Sequence, residues 1–215
     1  MLQTLLVANR GEIAIRVLRA AAELGLRTVA VFADDDATSL HTRGADDARA
    51  LGASGAAAYL DIERVVQVAL DAGADAIHPG YGFLSENPAF AARCAEAGIG
   101  FVGPSPALLS LFGDKAAARA LAVELGVPVL AGTPGGIGVD DAVAFLAGRT
   151  PGTGIILKAT AGGGGRGSRI VTDPSEVASA FERCRSEALS AFGDGTLFAE
   201  ELLPRARHVE VQIIG

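Results

Sequence analysis

Lys158 and the four glycines that follow it are the residues in this chain with the most chemistry to offer. The stretch Ile155 to Val171 reads I-I-L-K-A-T-A-G-G-G-G-R-G-S-R-I-V: an apolar strand carrying Lys158, then Gly162, Gly163, Gly164 and Gly165, then a second strand. Glycine has no Cβ, so such a run lets the backbone take positive φ and aim its N–H groups at anionic oxygens from close range. Lys158 adds a point charge. The combination suits a cover over phosphate groups. Its order differs from a Walker loop, which puts its lysine and a Ser or Thr after the last glycine and opens a helix there. Four glycines also make a flexible turn. A hairpin this rich in glycine, however, loses more entropy on folding than a two-residue turn does.

Two other groups could serve the same ligand. Lys115 follows Gly113-Asp114, and a second cation on a separate element would answer the charge of a triphosphate. It reads equally as a solvated first-turn lysine. Glu200 and Glu201 lie in a predicted strand, Leu197 to Leu203, that ends at Pro204. Such a connector offers backbone groups to an adenine edge while a carboxylate accepts from the amino group or a ribose hydroxyl. Paired glutamates on a strand are otherwise simply solvated.

A third cluster, His78-Pro79-Gly80-Tyr81-Gly82-Phe83-Leu84-Ser85-Glu86-Asn87, follows a predicted strand and precedes a helix. In a wound parallel sheet, ligand sites form at the carboxyl ends of strands. Ser85 and Asn87 read as caps for the helix that Pro88 begins. Tyr81, between two glycines, reads either as packing across the loop or as stacking on a ligand.

The elements that must position these residues alternate. Thr4 to Ala8 is a short apolar strand, and Glu12 to Leu24 has apolar residues at helical spacing closed by Gly25. Strands at Arg27 to Phe32, Ala74 to His78 and Ile99 to Val102 alternate with helices at Ile62 to Ala72 and Pro88 to Ala97. This β-α-β repetition predicts an α/β protein with a parallel sheet. Asn9-Arg10-Gly11-Glu12 supplies only one glycine after the first strand, which argues against a dinucleotide site there. After a helix at Lys115 to Leu125, the Pro/Gly-rich stretch Pro128 to Gly138 suits a hinge or domain boundary. A smaller unit follows, with a short helix from Asp140, the two strands around the glycines, a helix from Asp173-Pro174 to about Phe192, and the strand bearing the glutamates. Residues 208 to 213 alternate polar and apolar, as a half-buried strand does. A strand ending at Gly215 with no turn or cap leaves an edge unpaired, and a truncated polypeptide is the expectation.

Composition removes several classes of function. With 215 residues, 50% of them hydrophobic, the chain can bury a core, and its mean hydropathy of +0.36 reflects alanine-rich helices. No apolar run approaches the roughly 20 residues of a membrane span, and no leader is evident; a cytoplasmic location, or an organellar one after processing, is expected, without a membrane partner. A formal charge of −7 with no Lys/Arg cluster argues against a nucleic-acid partner. Cys94 and Cys184 read as buried, reduced thiols, and no disulfide or metal framework is implied.

Six motifs in order carry a family resemblance: A-N-R-G-E-I-A from Ala8, H-P-G-Y-G-F-L-S-E-N from His78, F-V-G-P from Phe101, G-D-K from Gly113, K-A-x-x-G-G-G-G-R-G from Lys158 and R-H-V-E-V-Q from Arg207. Over essentially its whole length the chain resembles the N-terminal half of biotin carboxylase, the ATP-grasp component of acyl-CoA carboxylases and of related enzymes such as pyruvate carboxylase. The resemblance implies a Rossmann-like preATP-grasp domain over residues 1–113, a linker helix and glycine-rich lid subdomain over 114–203, and the start of the C-terminal ATP-grasp subdomain over 204–215. It implies ATP-dependent carboxylation of biotin. Bicarbonate attacks the γ-phosphate, carboxyphosphate releases CO2, and the ureido nitrogen of biotin captures it.

In that reading Lys115 and Lys158 bind phosphates, Gly162 to Gly165 close over them, Glu200, Glu201 and Leu203 line the adenine pocket, His208 lies near the ribose, and Tyr81 lies near biotin. The ligands for Mg2+, the bicarbonate-binding cations and the catalytic base are expected beyond Gly215, so no catalytic residue is assigned within the chain. A biotin carrier domain or protein and a carboxyltransferase are implied partners, and a homodimer is implied by many members. The chain departs from the family at Ser168, where Met is common, and at Glu201, where Lys is common. The alternatives are a different ATP-grasp ligase, such as a carbamoyl-phosphate synthetase relative, and a non-catalytic nucleotide-binding or association module.

Overall fold

A computed structural model describes residues 2–150, 152–161 and 167–211. The chain divides into two compact units, residues 1–110 and 111–215. The glycine run Gly162 to Gly165 lies outside the described residues.

The first unit contains β1 (Thr4–Val7), α1 (Gly11–Glu23), β2 (Arg27–Phe32), the single-turn α2 (Leu40–Arg43), β3 (Asp47–Ala50), α3 (Ile62–Asp71), β4 (Ala76–His78), α4 (Pro88–Glu96) and β5 (Gly100–Phe101). Its five strands are all parallel, in the order β3-β2-β1-β4-β5. A parallel sheet needs both faces covered, and β1 shows how alternation achieves this. Leu5 and Val7 pack with Ala14, Val17, Leu18 and Ala21 of α1, while Leu6 and Ala8 point into the core made with Val65, Val66 and Ala69 of α3 and Phe90 of α4. The strand β3 was not apparent from the sequence. It is a half-exposed edge strand reading D-A-R-A, without the apolar run that marks the central strands.

The helix α5 (Pro106–Gly113) precedes the elements of the second unit: α6 (Lys115–Glu124), α7 (Val139–Ala147), β6 (Ile155–Ala159), β7 (Ser168–Val171), α8 (Val177–Phe192) and β8 (Leu197–Glu201). The three strands form an antiparallel sheet in the order β7-β6-β8. Its inner face, Ile155, Leu157, Ala159, Val171, Leu197 and Ala199, packs on α7 and α8. The period of two then puts Ile156 and Lys158 of β6 on the other face with Phe198 and Glu200 of β8.

Two expectations need correction. The Pro128 to Gly138 stretch is not a free hinge: the Glu201 amide donates to Ala131 O, the Thr133 amide to Ala199 O, and the Ala199 amide to Thr133 Oγ1, each at 2.9 Å. It therefore covers the open edge of β8, where backbone groups would otherwise lack partners. The strand expected over residues 208–213 does not form over residues 208–211. Gln212 and the residues after it lie outside the described region.

Candidate functional site

In the second unit the sheet brings Lys158 to Glu200. Lys158 is directly opposite Phe198 in the register, so Glu200 is its diagonal neighbour on the same face. Lys158 Nζ lies 2.5 Å from Glu200 Oε2, with the two side chains 33% and 17% exposed. Arg119 of α6 approaches the other oxygen, its Nη1 3.6 Å from Glu200 Oε1. Lys115 begins the same helix, which Asp114 caps by accepting from the amides of Ala116 and Ala117. The Lys115 amide donates to Thr160 O, just beyond Lys158. Four residues apart, Lys115 and Arg119 share a helix face. Lys158 and Arg119 thus place two cations against one carboxylate.

Arg119 was not singled out from the sequence. Its only signal there was the spacing from Lys115, and that acquires meaning once α6 is placed beside β8. Glu201 occupies the other side of the strand and pairs with Arg149 at 3.5 Å, so the two adjacent glutamates have separate partners. Leu203 is 49% exposed. His208 is more exposed still and has Glu210 as its neighbour, at 3.8 Å. The sheet therefore gathers Lys158 and Glu200, with Lys115 starting the adjoining helix, while Leu203 and His208 sit on an exposed segment beyond it.

The strands that flank the glycine run form an antiparallel pair. Lys158 pairs with Ser168, and the Ala159 amide donates to Gly167 O at 2.8 Å. Gly167 has φ +64°, and a Cβ there would lie 3.0 Å from the Ala159 methyl, so glycine is required just before β7. The thiol of Cys184 donates to Gly167 O at 3.1 Å. Burial pushes this thiol, and that of Cys94, up to about 11.

The first unit presents Tyr81 at a different feature. The chain leaves β1 for β2 and β3 on one side and returns to β4 on the other, so the carboxyl ends of β1 and β4 flank the switch point of the sheet. A crevice of about 460 Å³ opens there, lined by Asn9, Arg10, Glu12, Asp36, Tyr81 and Phe83 among others. Asn9, 3% exposed, donates through Nδ2 to the carbonyls of Pro79 and Tyr81 at 2.7 and 2.8 Å. His78 Nδ1 accepts the Gly80 amide at 3.0 Å, and burial holds this imidazole below its ordinary pKa. Asn87 caps α4, accepting from the amides of Ala89 and Phe90, and the Ser85 amide closes a turn onto Gly82 O.

Phe83, at φ +43°, stacks on Tyr59 at 5.0 Å, and the Arg10 guanidinium covers both rings. Burial alone would raise the Asp36 carboxyl, but hydrogen bonds from Arg10, Tyr59 and Ser39 outweigh it and hold the group below the usual range. Tyr81 is left 60% exposed, with its hydroxyl donating to Glu12. A ring presented to solvent from a loop tied on both sides is available to a ligand, and packing across the loop belongs to Phe83 instead.

Among the described residues no three His, Cys, Asp or Glu side chains converge as metal ligands. The carboxylate beside Lys158 is a poor candidate for Mg2+, because two cations already approach it. No helix among the described residues is long and apolar enough to cross a membrane.

Residues 1–109 match the family model described as biotin carboxylase, N-terminal domain, and residues 114–215 match the one described as carbamoyl-phosphate synthase L chain, ATP binding domain. Pyruvate carboxylase 1 of Caenorhabditis elegans is 54% identical over 213 residues, which is 98% of this chain and 18% of that protein. Pyruvate carboxylase of Aspergillus niger is 50% identical over 218 residues, covering 99% of this chain and 18% of the relative. Among solved structures, the biotin carboxylase domain dimer of Hydrogenobacter thermophilus 2-oxoglutarate carboxylase, in complex with MgADP, ADP and bicarbonate, superposes with a TM-score of 0.90 at 44% identity. The match covers 95% of this chain and 45% of that one. The chain thus spans about 18% of the length of these curated relatives.

Proposed function

Because the chain belongs to the biotin carboxylase family, we propose that it supplies the nucleotide-binding and acceptor-side regions of an enzyme that carboxylates biotin with bicarbonate and ATP. The observation that carries this reading is the Lys158–Glu200–Arg119 cluster, with Lys115 on the same helix face as Arg119 and Lys158 on the strand that leads into the glycine run. An excess of cations on a partly buried surface suits a polyanion.

Within the proposal, residues 1–113 form the preATP-grasp domain, 114–203 the linker helix and lid, and 204–215 the entry to the next subdomain. Lys115 and Lys158 bind phosphate oxygens, and Gly162 to Gly165 cover them. Glu200, the backbone of Glu201 and Leu203 meet the adenine, and His208 meets the ribose. Leu203 and His208 are exposed and open to a ligand. Tyr81 offers its ring to biotin. Because the described carboxylates do not fit Mg2+, no step through a metal is assigned to them. A bicarbonate oxygen attacks the γ-phosphorus as the bond to ADP breaks, carboxyphosphate yields CO2 and phosphate, and the deprotonated ureido nitrogen of biotin takes up the CO2.

The curated relatives named above are pyruvate carboxylases, and we place the chain in a pyruvate carboxylase in preference to an acyl-CoA carboxylase. A biotin carrier domain and a carboxyltransferase are then its functional partners, and a second copy its dimer mate. The test uses the complete native polypeptide that carries this sequence. ATP cleavage should require bicarbonate and rise with free biotin, and labelled bicarbonate should reach pyruvate and not acyl-CoA. Equal ATP hydrolysis with bicarbonate removed would end the biotin carboxylase reading, and label in an acyl-CoA would end the pyruvate assignment.

A further inference from the structure

We propose that Arg119 is a positioning residue for the nucleotide site, holding Glu200 and balancing its charge when Lys158 turns to an anionic ligand. The inference rests on the reading of Lys158 as a phosphate ligand. Glu200 is 17% exposed and its closest cation is Lys158, at 2.5 Å. In that state the ammonium is already engaged. If Lys158 moved to phosphate with no other cation present, a largely buried carboxylate would be left uncompensated, which is strongly unfavourable. Arg119 approaches the opposite oxygen, Oε1, and is itself 16% exposed. Glu200 therefore keeps a counter-ion on one side while Lys158 is released on the other.

The guanidinium is held for this task. It projects from α6 beneath the segment that lines β8, where Gly132 forms a bridge with Glu200. A Cβ on Gly132 would lie 3.0 Å from both Ala199 O and Arg119 Cζ and 3.1 Å from Nε, so the absence of a side chain at 132 lets the segment lie close to β8 and to the arginine together. Lysine at 119 would carry the charge without the planar group that fits this slot. Lys115, one turn earlier on the same helix, comes with the same placement of α6, so the face that brings a phosphate-binding cation also brings the partner of Glu200.

The experiment is calorimetric titration of ATP into the complete native polypeptide and into Arg119→Leu, Arg119→Lys, Glu200→Gln and the Arg119→Leu/Glu200→Gln double variant. Loss of Arg119 should weaken ATP binding about tenfold or more, since it leaves Glu200 dependent on Lys158, and lysine should recover part of that loss. With Glu200 already neutral, removing Arg119 should change the dissociation constant by less than about twofold, because the two residues act as one unit. A merely structural arginine would lower the melting temperature in both backgrounds and leave ATP affinity unchanged, which would overturn the inference. An equal affinity loss in both backgrounds would also overturn it. Should Arg119→Leu fail to fold, Arg119→Gln removes the charge while keeping a polar side chain in the slot and should weaken ATP binding in the Glu200 background only.

If the unmodified protein binds ATP but cleaves it independently of bicarbonate, the proposed activity fails while the ratios above still decide the role of Arg119. If it binds no ATP, both are refuted.

Discussion

Replacing Gly80 with alanine tests how the loop that presents Tyr81 is held, and Gly82→Ala supplies the control. Both glycines are left-handed, at φ +67° and +66°. Each substitution should therefore cost the ~1–2 kcal/mol of an L-residue in that region. They differ in what the new methyl meets. At Gly82 nothing lies within 4 Å, whereas at Gly80 a Cβ would fall 2.7 Å from Asn9 Nδ2 and 3.1 Å from its Cβ and Cγ.

Asn9 is 3% exposed, and the atom the methyl would meet is the Nδ2 that bonds Pro79 O and Tyr81 O, so making room for the methyl breaks those bonds. At about 1 kcal/mol each, and more where a buried group is left unpaired, those losses add ~2–3 kcal/mol for Gly80→Ala alone. The chain has no tryptophan and only two tyrosines, Tyr59 and Tyr81, both in the first unit. In the 215-residue chain, tyrosine fluorescence during urea unfolding therefore reports that unit by itself. With a denaturant slope of roughly 2 kcal/mol per molar, the midpoint should fall by about 1.5–2.5 M for Gly80→Ala and about 0.5–1 M for Gly82→Ala. Equal shifts would refute the claim that Asn9 is locked against Gly80.

Three other outcomes follow from the same geometry. Burial lowers the His78 pKa and its Nδ1 accepts the Gly80 amide, so the neutral ring's contribution is complete above the unfolded value of about 6.5 and declines as pH falls from there through the lower folded value. The urea midpoint should drop on acidification across that window, His78→Gln should flatten the drop, and a profile unchanged by the substitution would exclude His78 as its cause. Cys94 and Cys184, pushed up to about 11 and buried, should carry on the order of one thiolate per thousand at pH 8 and react with a disulfide reagent only after denaturation; rapid native labelling would contradict their burial. Asn87→Ala removes the acceptor for two amides at the start of α4 and should destabilise the first unit by about 1 kcal/mol in the same tyrosine-monitored unfolding.

Much of this protein was legible in one dimension because its elements obey short periods. The strand limits Arg27–Phe32, Ile155–Ala159 and Ser168–Val171 coincide with the apolar runs, and helix starts at Pro88 and Lys115 coincide with their Asn and Asp caps. Those signals come from neighbours within a turn or a pleat, so the sequence holds both partners side by side. The motifs around Lys158 and Tyr81 were likewise visible as loops on predictable elements.

Tertiary structure decided everything that needed a distant partner. Glu200 finds Lys158 across 42 positions, and Asn9 reaches Tyr81 across 72. The edge strand β3 and the cover over β8 exist because neighbouring backbones leave hydrogen-bonding groups to be satisfied, a demand that D-A-R-A and a Pro/Gly-rich stretch do not announce. Arg119 became a functional candidate only when α6 lay against β8, because the energy of its charge depends on the distance to Glu200 and not on its place in the chain.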